Sequence, residues 1–360
     1  MSFNALKMPS LTVMVITLLL VACGNGGSND VSDNENLNND SDISDGTDVA
    51  DDNDIPDDNN VSDIDIDDPG TTSSTYVAGH TVATEAALRA IPDNYIDTAR
   101  TTLHIAYNHT SHGTHVSYGV FGLPDYKAGD ETRFAVTRNS LPDADKLDFQ
   151  DNEIGGAYRD LSQADADWMS WRNQVRNYLD DPANQAINVM IWSWCNIAGH
   201  SVADYLSSMQ TLIDEYGPGG SKIGNDIDQT RTTPVTFIFM TGHANLDSNT
   251  GDGNPREQAA LITEYCDTHG YFCIDYYSID THAMDGSYYE DTGDNGNSAE
   301  YGGNFYEDWQ EANTLGVDWY ENRSTPGGVA TYGAHNTQHI TANRKAFAFW
   351  WVLARIVGYQ

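Results

Sequence analysis

Basic residues are scarce in this chain of 360 residues. It has 17 Lys and Arg against 54 Asp and Glu, which gives a formal net charge of −37. Such a charge repels polyanions, so it excludes electrostatic recruitment of nucleic acid or of an anionic membrane surface. An apolar run long enough to span a bilayer is also missing from the N-terminal region, because the run at residues 11–22 is too short.

That short run has the features of an export signal. It follows Lys7 and ends in Leu20-Val21-Ala22-Cys23, which resembles a bacterial lipobox. The resemblance implies removal of residues 1–22, lipidation of Cys23 and a mature protein outside the cytoplasm, anchored by its acyl chains to a membrane of the bacterial cell envelope. The alternative is an ordinary signal peptide in which the cysteine is incidental.

The next segment is strongly acidic. Residues 24–70 contain 16 Asp or Glu, no Lys or Arg and no aromatic residue. Because such a segment buries too little apolar surface to offset its ordering entropy, we expect a disordered tether over residues 23–75. Calcium binding is the alternative, but the acidic spacing fits no EF-hand loop.

Three cysteines remain in the predicted folded domain, residues 76–360. In an oxidising compartment Cys266 and Cys273 would pair as a local disulfide, and Cys195 would be the odd cysteine.

Short apolar runs alternate with amphipathic segments through most of this domain. Strands are predicted at 103–107, 187–192, 235–240 and 271–275, and helices near 161–178, 202–216, 255–266 and 341–357. This alternation predicts an α/β fold with a mostly parallel sheet covered on both faces. Between 276 and 333 the alternation stops in a stretch rich in Tyr, Trp, Gly and Asn, which is predicted to be a long insertion lining a site.

Polar side chains follow the predicted strands where ligands of such sheets bind. Ser111 comes after the first strand, Asn196 after the second and His243 after the third, while Asp280 and His282 follow the fourth. We therefore expect these side chains to gather at one edge of the sheet.

The order of these residues resembles the SGNH, or GDSL-type, hydrolase superfamily over residues 103–358. The resemblance implies a flavodoxin-like three-layer fold and a serine hydrolase acting on esters. An O-acylated polysaccharide is the expected substrate, because the polar, aromatic stretch at 276–333 suits a sugar chain better than a lipid. Its implied residues are a nucleophile, Ser111; backbone oxyanion donors, Ser111 and Gly155 or Gly156; a side-chain donor, Asn196; and a base, His339, with Asn336 three residues before it. His112 and His243 are assigned to substrate binding, and no cofactor or metal is assigned.

One position departs from the family pattern. Asn336 stands where the family has an Asp, and a neutral amide does not stabilise an imidazolium. Another group must then orient His339, and Asp280 is one candidate.

Three alternatives remain. His112-Gly113-Thr114-His115 is similar to the histidine motif of subtilisin-like proteases, but the aspartate and serine motifs of that family do not accompany it. The second alternative is a metal site that binds zinc or copper. Its candidate ligands are His109, His112 and His115, with His243, His335 and His339 nearby. The last alternative is a non-catalytic, carbohydrate-binding surface lipoprotein.

Overall fold

Within residues 74–360, which are the residues that the computed structural model describes, six parallel strands form the central sheet. The strands are β1 (Val77–Ala78), β2 (His104–Asn108), β3 (Asp148–Asp151), β4 (Val189–Trp192), β5 (Thr236–Met240) and β6 (Cys273–Ile274). Their spatial order is β1-β6-β5-β4-β2-β3. Without β1, this is the 2-1-3-4-5 order of a flavodoxin-like layout, in which the chain reverses direction across the sheet between β2 and β4.

Helices surround this sheet. They are α1 (Glu85–Ala90), α2 (Asp93–Thr102), α3 (Thr114–Gly122), α4 (Asp130–Arg133), α5 (Leu161–Ala164), α6 (Trp168–Asp180), α7 (Val202–Tyr216), α8 (Pro255–His269), α9 (Tyr276–Thr281), α10 (Phe305–Ala312) and α11 (Ile340–Ile356). The α/β class and the parallel sheet predicted from the sequence are thus confirmed.

The core has two halves, one on each face of the sheet. Alternate strand residues such as Ile191 and Ile238 pack with α2, α3 and α11, while their neighbours Met190 and Phe237 pack with α6, α7 and α8. Burial on both faces explains why the central strands are continuous apolar runs.

Helix α11 passes through the first half of the core. Every residue from Ile340 to Ala354 is buried, and these include Arg344 and Lys345. The sequence predicted a helix here with one apolar face, whereas the protein buries its polar face as well.

The range 276–333 contains α9, α10 and a short antiparallel pair, β7 (Asn297–Ser298) and β8 (Gly303–Asn304). Phe305 and Tyr306 are buried in a small cluster with Ile340 of α11, while Tyr320 packs into the first half of the main core.

The predicted disulfide is wrong. Cys266 in α8 and Cys273 in β6 are both buried free thiols. They hydrogen-bond instead, and burial together with this bond raises the pKa of the Cys273 thiol.

The signal peptide, the lipidation site Cys23 and nearly all of the tether lie outside the described residues. Among residues 74–360, no helix is both long and apolar enough to cross a membrane.

Candidate active site

The loops that leave the carboxyl ends of β2, β4, β5 and β6 meet at one edge of the sheet. His112 Nδ1 donates to the carbonyl of Cys195, at 2.8 Å. The rings of His112 and His243 stack with their centroids 3.6 Å apart, and the Asp280 carboxylate accepts from the Ala244 N–H at 3.3 Å. The structure therefore brings together residues from four strand ends. His282 lies apart from them, because its ring stacks on His80 with a centroid distance of 3.5 Å.

The tight turn after β2 positions Ser111 and His112. A Cβ on Gly113 would lie 2.2 Å from Ser193 Oγ and 2.3 Å from His109 Cβ, so only glycine fits there. Ser111 has φ = 28°, a region that costs a non-glycine residue on the order of 1–3 kcal/mol. Tyr276 anchors the turn by donating its hydroxyl to the His112 carbonyl at 2.7 Å. Backbone strain of this kind is characteristic of functional sites.

The Ser111 hydroxyl is half-buried and makes no hydrogen bond to any residue of the described chain. Neither its own N–H nor that of His112 donates to an acceptor within residues 74–360. The turn runs directly into α3, so these amides lie at the start of a helix, where free N–H groups favour a negative charge. One turn thus holds a hydroxyl and two backbone N–H groups that make no hydrogen bond within the described chain.

Four imidazoles form a cluster beside this turn. The His112 ring lies between His243, at 3.6 Å, and His335, at 4.8 Å, and the His115 ring meets it edge-on at 6.3 Å. Carbonyl acceptors fix three tautomers: His112 and His243 donate from Nδ1, to Cys195 and Ala244, while His115 donates from Nε2 to Ala334. The opposite nitrogen of each ring is left as a proton acceptor.

Burial lowers the pKa of His112, His115 and His243, because it disfavours the charged imidazolium. For His112 the neighbouring imidazoles add to the effect, and for His115 the ammonium of Lys345 does so. These three rings are therefore neutral at pH 7. A neutral imidazole has a free lone pair, but a pKa lowered in this way makes each of these three rings a weak proton acceptor.

Two carboxylates and one ammonium lie behind the cluster. Asp294 Oδ2 is 3.6 Å from His112 Nε2, and burial raises the pKa of Asp294 to about 7. Asp280 and Lys345 form an ion pair whose side chains are both fully buried. Burial raises the pKa of Asp280 and lowers that of Lys345. Since His112 carries its proton on Nδ1, a protonated Asp294 is the form that can donate towards Nε2.

The loop at 333–336 closes over the cluster from the side of α11. A Cβ on Gly333 would lie 2.0 Å from the His115 ring, so the backbone rests directly on that imidazole. The Ala334 N–H donates to Thr114 Oγ1 at 2.9 Å, and Thr114 donates in turn to the Ser111 carbonyl at 2.7 Å. His335, the next residue, has φ = 64° and stacks on His112. Two hydrogen bonds therefore link the His335 loop to Ser111.

No described contact brings His339, the predicted base, to Ser111. Its Nδ1 accepts from the Asn322 N–H at 3.1 Å, and its ring stacks on Tyr332 and Trp319. Burial lowers the pKa of His339. The base role of His339 stays a prediction without a supporting contact, and the residue caps α11 instead.

Asn336 lies closer to the cluster than His339 does. Its side-chain nitrogen donates to the Asp294 carbonyl at 3.3 Å, and its oxygen accepts from the Gln338 N–H at 2.7 Å. It thus ties the loop at 333–336 to the segment that carries Asp294. Asp280, the guessed partner of His339, pairs with Lys345.

Asn196 follows β4 and keeps a free side-chain N–H group within the described chain. Its Oδ1 accepts from the Ala198 N–H and from Asn245, each at 3.1 Å, which fixes the amide and leaves Nδ2 unbonded within the described chain. Gly155 and Gly156 lie in the exposed loop after β3 with φ of 70° and 82°. No hydrogen bond connects either glycine with Ser111 among the described residues.

His109 supports the turn from below. Its Nε2 donates to Asp151 at 2.7 Å, and Arg138 donates to the same carboxylate at 2.8 Å. Burial would raise the pKa of Asp151, but these two partners lower it overall. His109 thus belongs to a buried ion-pair network and not to the imidazole cluster.

Sequence reasoning missed Asp294, Asp151 and Lys345 and gave His335 only as a candidate metal ligand. Asp294 lies in a Gly- and Asn-rich stretch that carries no local signal, and Lys345 lies inside a helix that reads as amphipathic.

A metal centre receives no geometric support. Within residues 74–360, no group of three or more His, Cys, Asp or Glu is arranged to hold a metal ion. The His112 and His243 rings lie nearly parallel, 22° apart, and lone pairs in stacked ring planes do not converge on one ion.

Comparison with known proteins gives no relative: no family model, no curated protein and no solved structure matches this chain.

Proposed function

We propose that this domain hydrolyses ester bonds, with Ser111 as the nucleophile and His335 as its base. The observation that carries the proposal is the Ser111 turn, in which an unbonded hydroxyl, two free amide N–H groups and a strained backbone lie beside a cluster of imidazoles. The flavodoxin-like strand order agrees with the fold that the SGNH resemblance implies.

His335 suits the base role better than its neighbours. His112, His115 and His243 each donate one ring N–H to a backbone carbonyl, whereas His335 makes no hydrogen bond within the described chain. It is exposed to solvent, and its loop is hydrogen-bonded through Thr114 to Ser111.

In the proposed reaction, Ser111 Oγ attacks the ester carbonyl carbon while His335 takes the hydroxyl proton. The tetrahedral oxyanion accepts hydrogen bonds from the N–H groups of Ser111 and His112 and from Asn196 Nδ2. The intermediate collapses, the carbon–oxygen bond to the alcohol breaks, and His335 gives the proton to the leaving alcohol. A water molecule then releases the acid from the acyl enzyme by the same steps in reverse.

The substrate that we propose is an O-acylated polysaccharide, reached from a cell-envelope position through the lipid anchor predicted at Cys23. The formal net charge of the chain, −37, would repel an anionic substrate and so agrees with an uncharged one.

Turnover of p-nitrophenyl acetate tests the proposal. Ser111→Ala should lower kcat at least about 10³-fold, because a nucleophile has no substitute. An S111A protein that keeps its turnover would refute the nucleophile. A wild-type protein that binds polysaccharide but shows no turnover would favour the non-catalytic alternative.

A further inference from the structure

A long groove runs along the β3 edge of the sheet, outside the site described above. It has a volume of about 1020 Å³ and lies between the exposed face of α6, the loop before β3 and the start of β4. At one end it reaches Glu153 and Ile154, just after β3. Asn152, the residue before them, accepts from the His109 N–H at 2.8 Å. This end of the groove is therefore connected through Asn152 to the end of β2, which precedes Ser111.

The lining is polar and carries no positive charge. Its carboxamides are Asn139, Gln150, Asn173, Gln174, Asn177 and Asn184. Asp148, Glu153 and Asp181 add carboxylates, and among the described lining residues there is no Lys or Arg. Amides offer both donors and acceptors, as sugar hydroxyls do, while carboxylates repel an anionic ligand.

The amides on α6 are available for a ligand. Asn173 and Asn177 are exposed and lie one helical turn apart, on the side opposite the buried Trp171 and Val175. Asn177 makes no side-chain hydrogen bond within the described chain, and Asn173 uses only its oxygen, which accepts from Arg176 at 2.8 Å. The ring of Tyr178 lines the same groove and offers a flat apolar surface beside these amides.

We propose that this groove binds a neutral polysaccharide chain and presents its ester groups to the Ser111 turn. The presentation step rests on the proposed esterase function, whereas the binding step stands on the groove alone. The groove thereby selects uncharged glycans over uronic-acid polymers, since its described lining includes Asp148, Glu153 and Asp181 but no Lys or Arg.

Binding without turnover tests the groove directly. The probes are de-acetylated glucomannan, a neutral chain, and polygalacturonate, an acidic one, measured by affinity gel electrophoresis with the full chain. Wild-type protein should be retarded by the glucomannan only. The double variant N173A/N177A should bind it about tenfold more weakly, because two amide hydrogen bonds are lost. N94A/N225A, which removes two exposed amides outside the groove, should bind like the wild type.

A variant that gains binding to the acidic polymer provides a second test. N173K/N177K should acquire retardation by polygalacturonate, because it puts cations into the groove. Equal binding by N173A/N177A and the wild type, or wild-type retardation by polygalacturonate, would overturn the proposal. Glucomannan retardation in a protein that does not hydrolyse p-nitrophenyl acetate would support the groove while refuting the esterase function.

Discussion

Lys345→Met is expected to lower the unfolding free energy by about 3–5 kcal/mol, because it leaves the buried Asp280 carboxylate unpaired. Both side chains of the pair are fully buried, and Lys345 Nζ also lies 4.3 Å from the centre of the Tyr276 ring. The second Asp280 oxygen keeps only the 3.3 Å bond from Ala244. Since domains are stable by roughly 5–15 kcal/mol, this loss would be a large part of the total.

The matched control is K345M/D280N, which removes both charges and keeps an acceptor for Ala244. It should recover at least half of the loss, because the cost of the single variant is mainly the unpaired charge. Urea unfolding followed by tryptophan fluorescence measures both variants.

The pH dependence supplies a second readout for Lys345→Met. Burial already raises the pKa of Asp280 to about 6, and loss of the ammonium would raise it further. The folded state then keeps a proton that the unfolded state has released, so stability falls as pH rises above the unfolded pKa of about 3.9 and up to the folded pKa. The penalty should therefore be smaller at pH 5 than at pH 8. A penalty below about 1 kcal/mol, or a double variant no more stable than the single one, would refute this reasoning.

Three further predictions concern the candidate site. His335→Gln should lower kcat for p-nitrophenyl acetate by about 10²–10⁴-fold, whereas His339→Gln should keep turnover and lose stability; the opposite result would restore His339 as the base. Gly333→Ala should cost about 1–3 kcal/mol in urea unfolding and reduce kcat, because its Cβ would strike the His115 ring, and a wild-type-like protein would contradict the close packing. In the wild-type protein the raised pKa of Asp294 keeps a proton in the folded state, so stability should fall between about pH 4 and pH 7 by an amount on the order of 1–4 kcal/mol. Asp294→Asn should remove this fall. Equal pH profiles of unfolding for the two proteins would count against the prediction.

The interior of the fold could be predicted from the sequence because its signals are local. Helix Val202–Tyr216 begins and ends where the apolar spacing predicts, and strand Val189–Trp192 lies within one continuous apolar run. Strand Asp148–Asp151 was missed because three of its four residues are polar, as an edge strand permits.

The candidate site could be predicted only in part. The strand-end rule placed Ser111, Asn196 and His243 at one edge, since parallel strands share the direction of their carboxyl ends. The partners of these residues come from loops whose course depends on tertiary packing. Asp294 and His335 join His112 from more than 180 residues away along the chain, and no local pattern encodes that meeting.

The central claim is that Ser111 is a nucleophile, and covalent labelling measures it most directly. Incubation with a fluorophosphonate probe, followed by peptide mass spectrometry, should place a single phosphonyl adduct on Ser111 in the wild-type protein and none in the S111A variant. An adduct on another residue, or equal labelling of both proteins, would contradict the account.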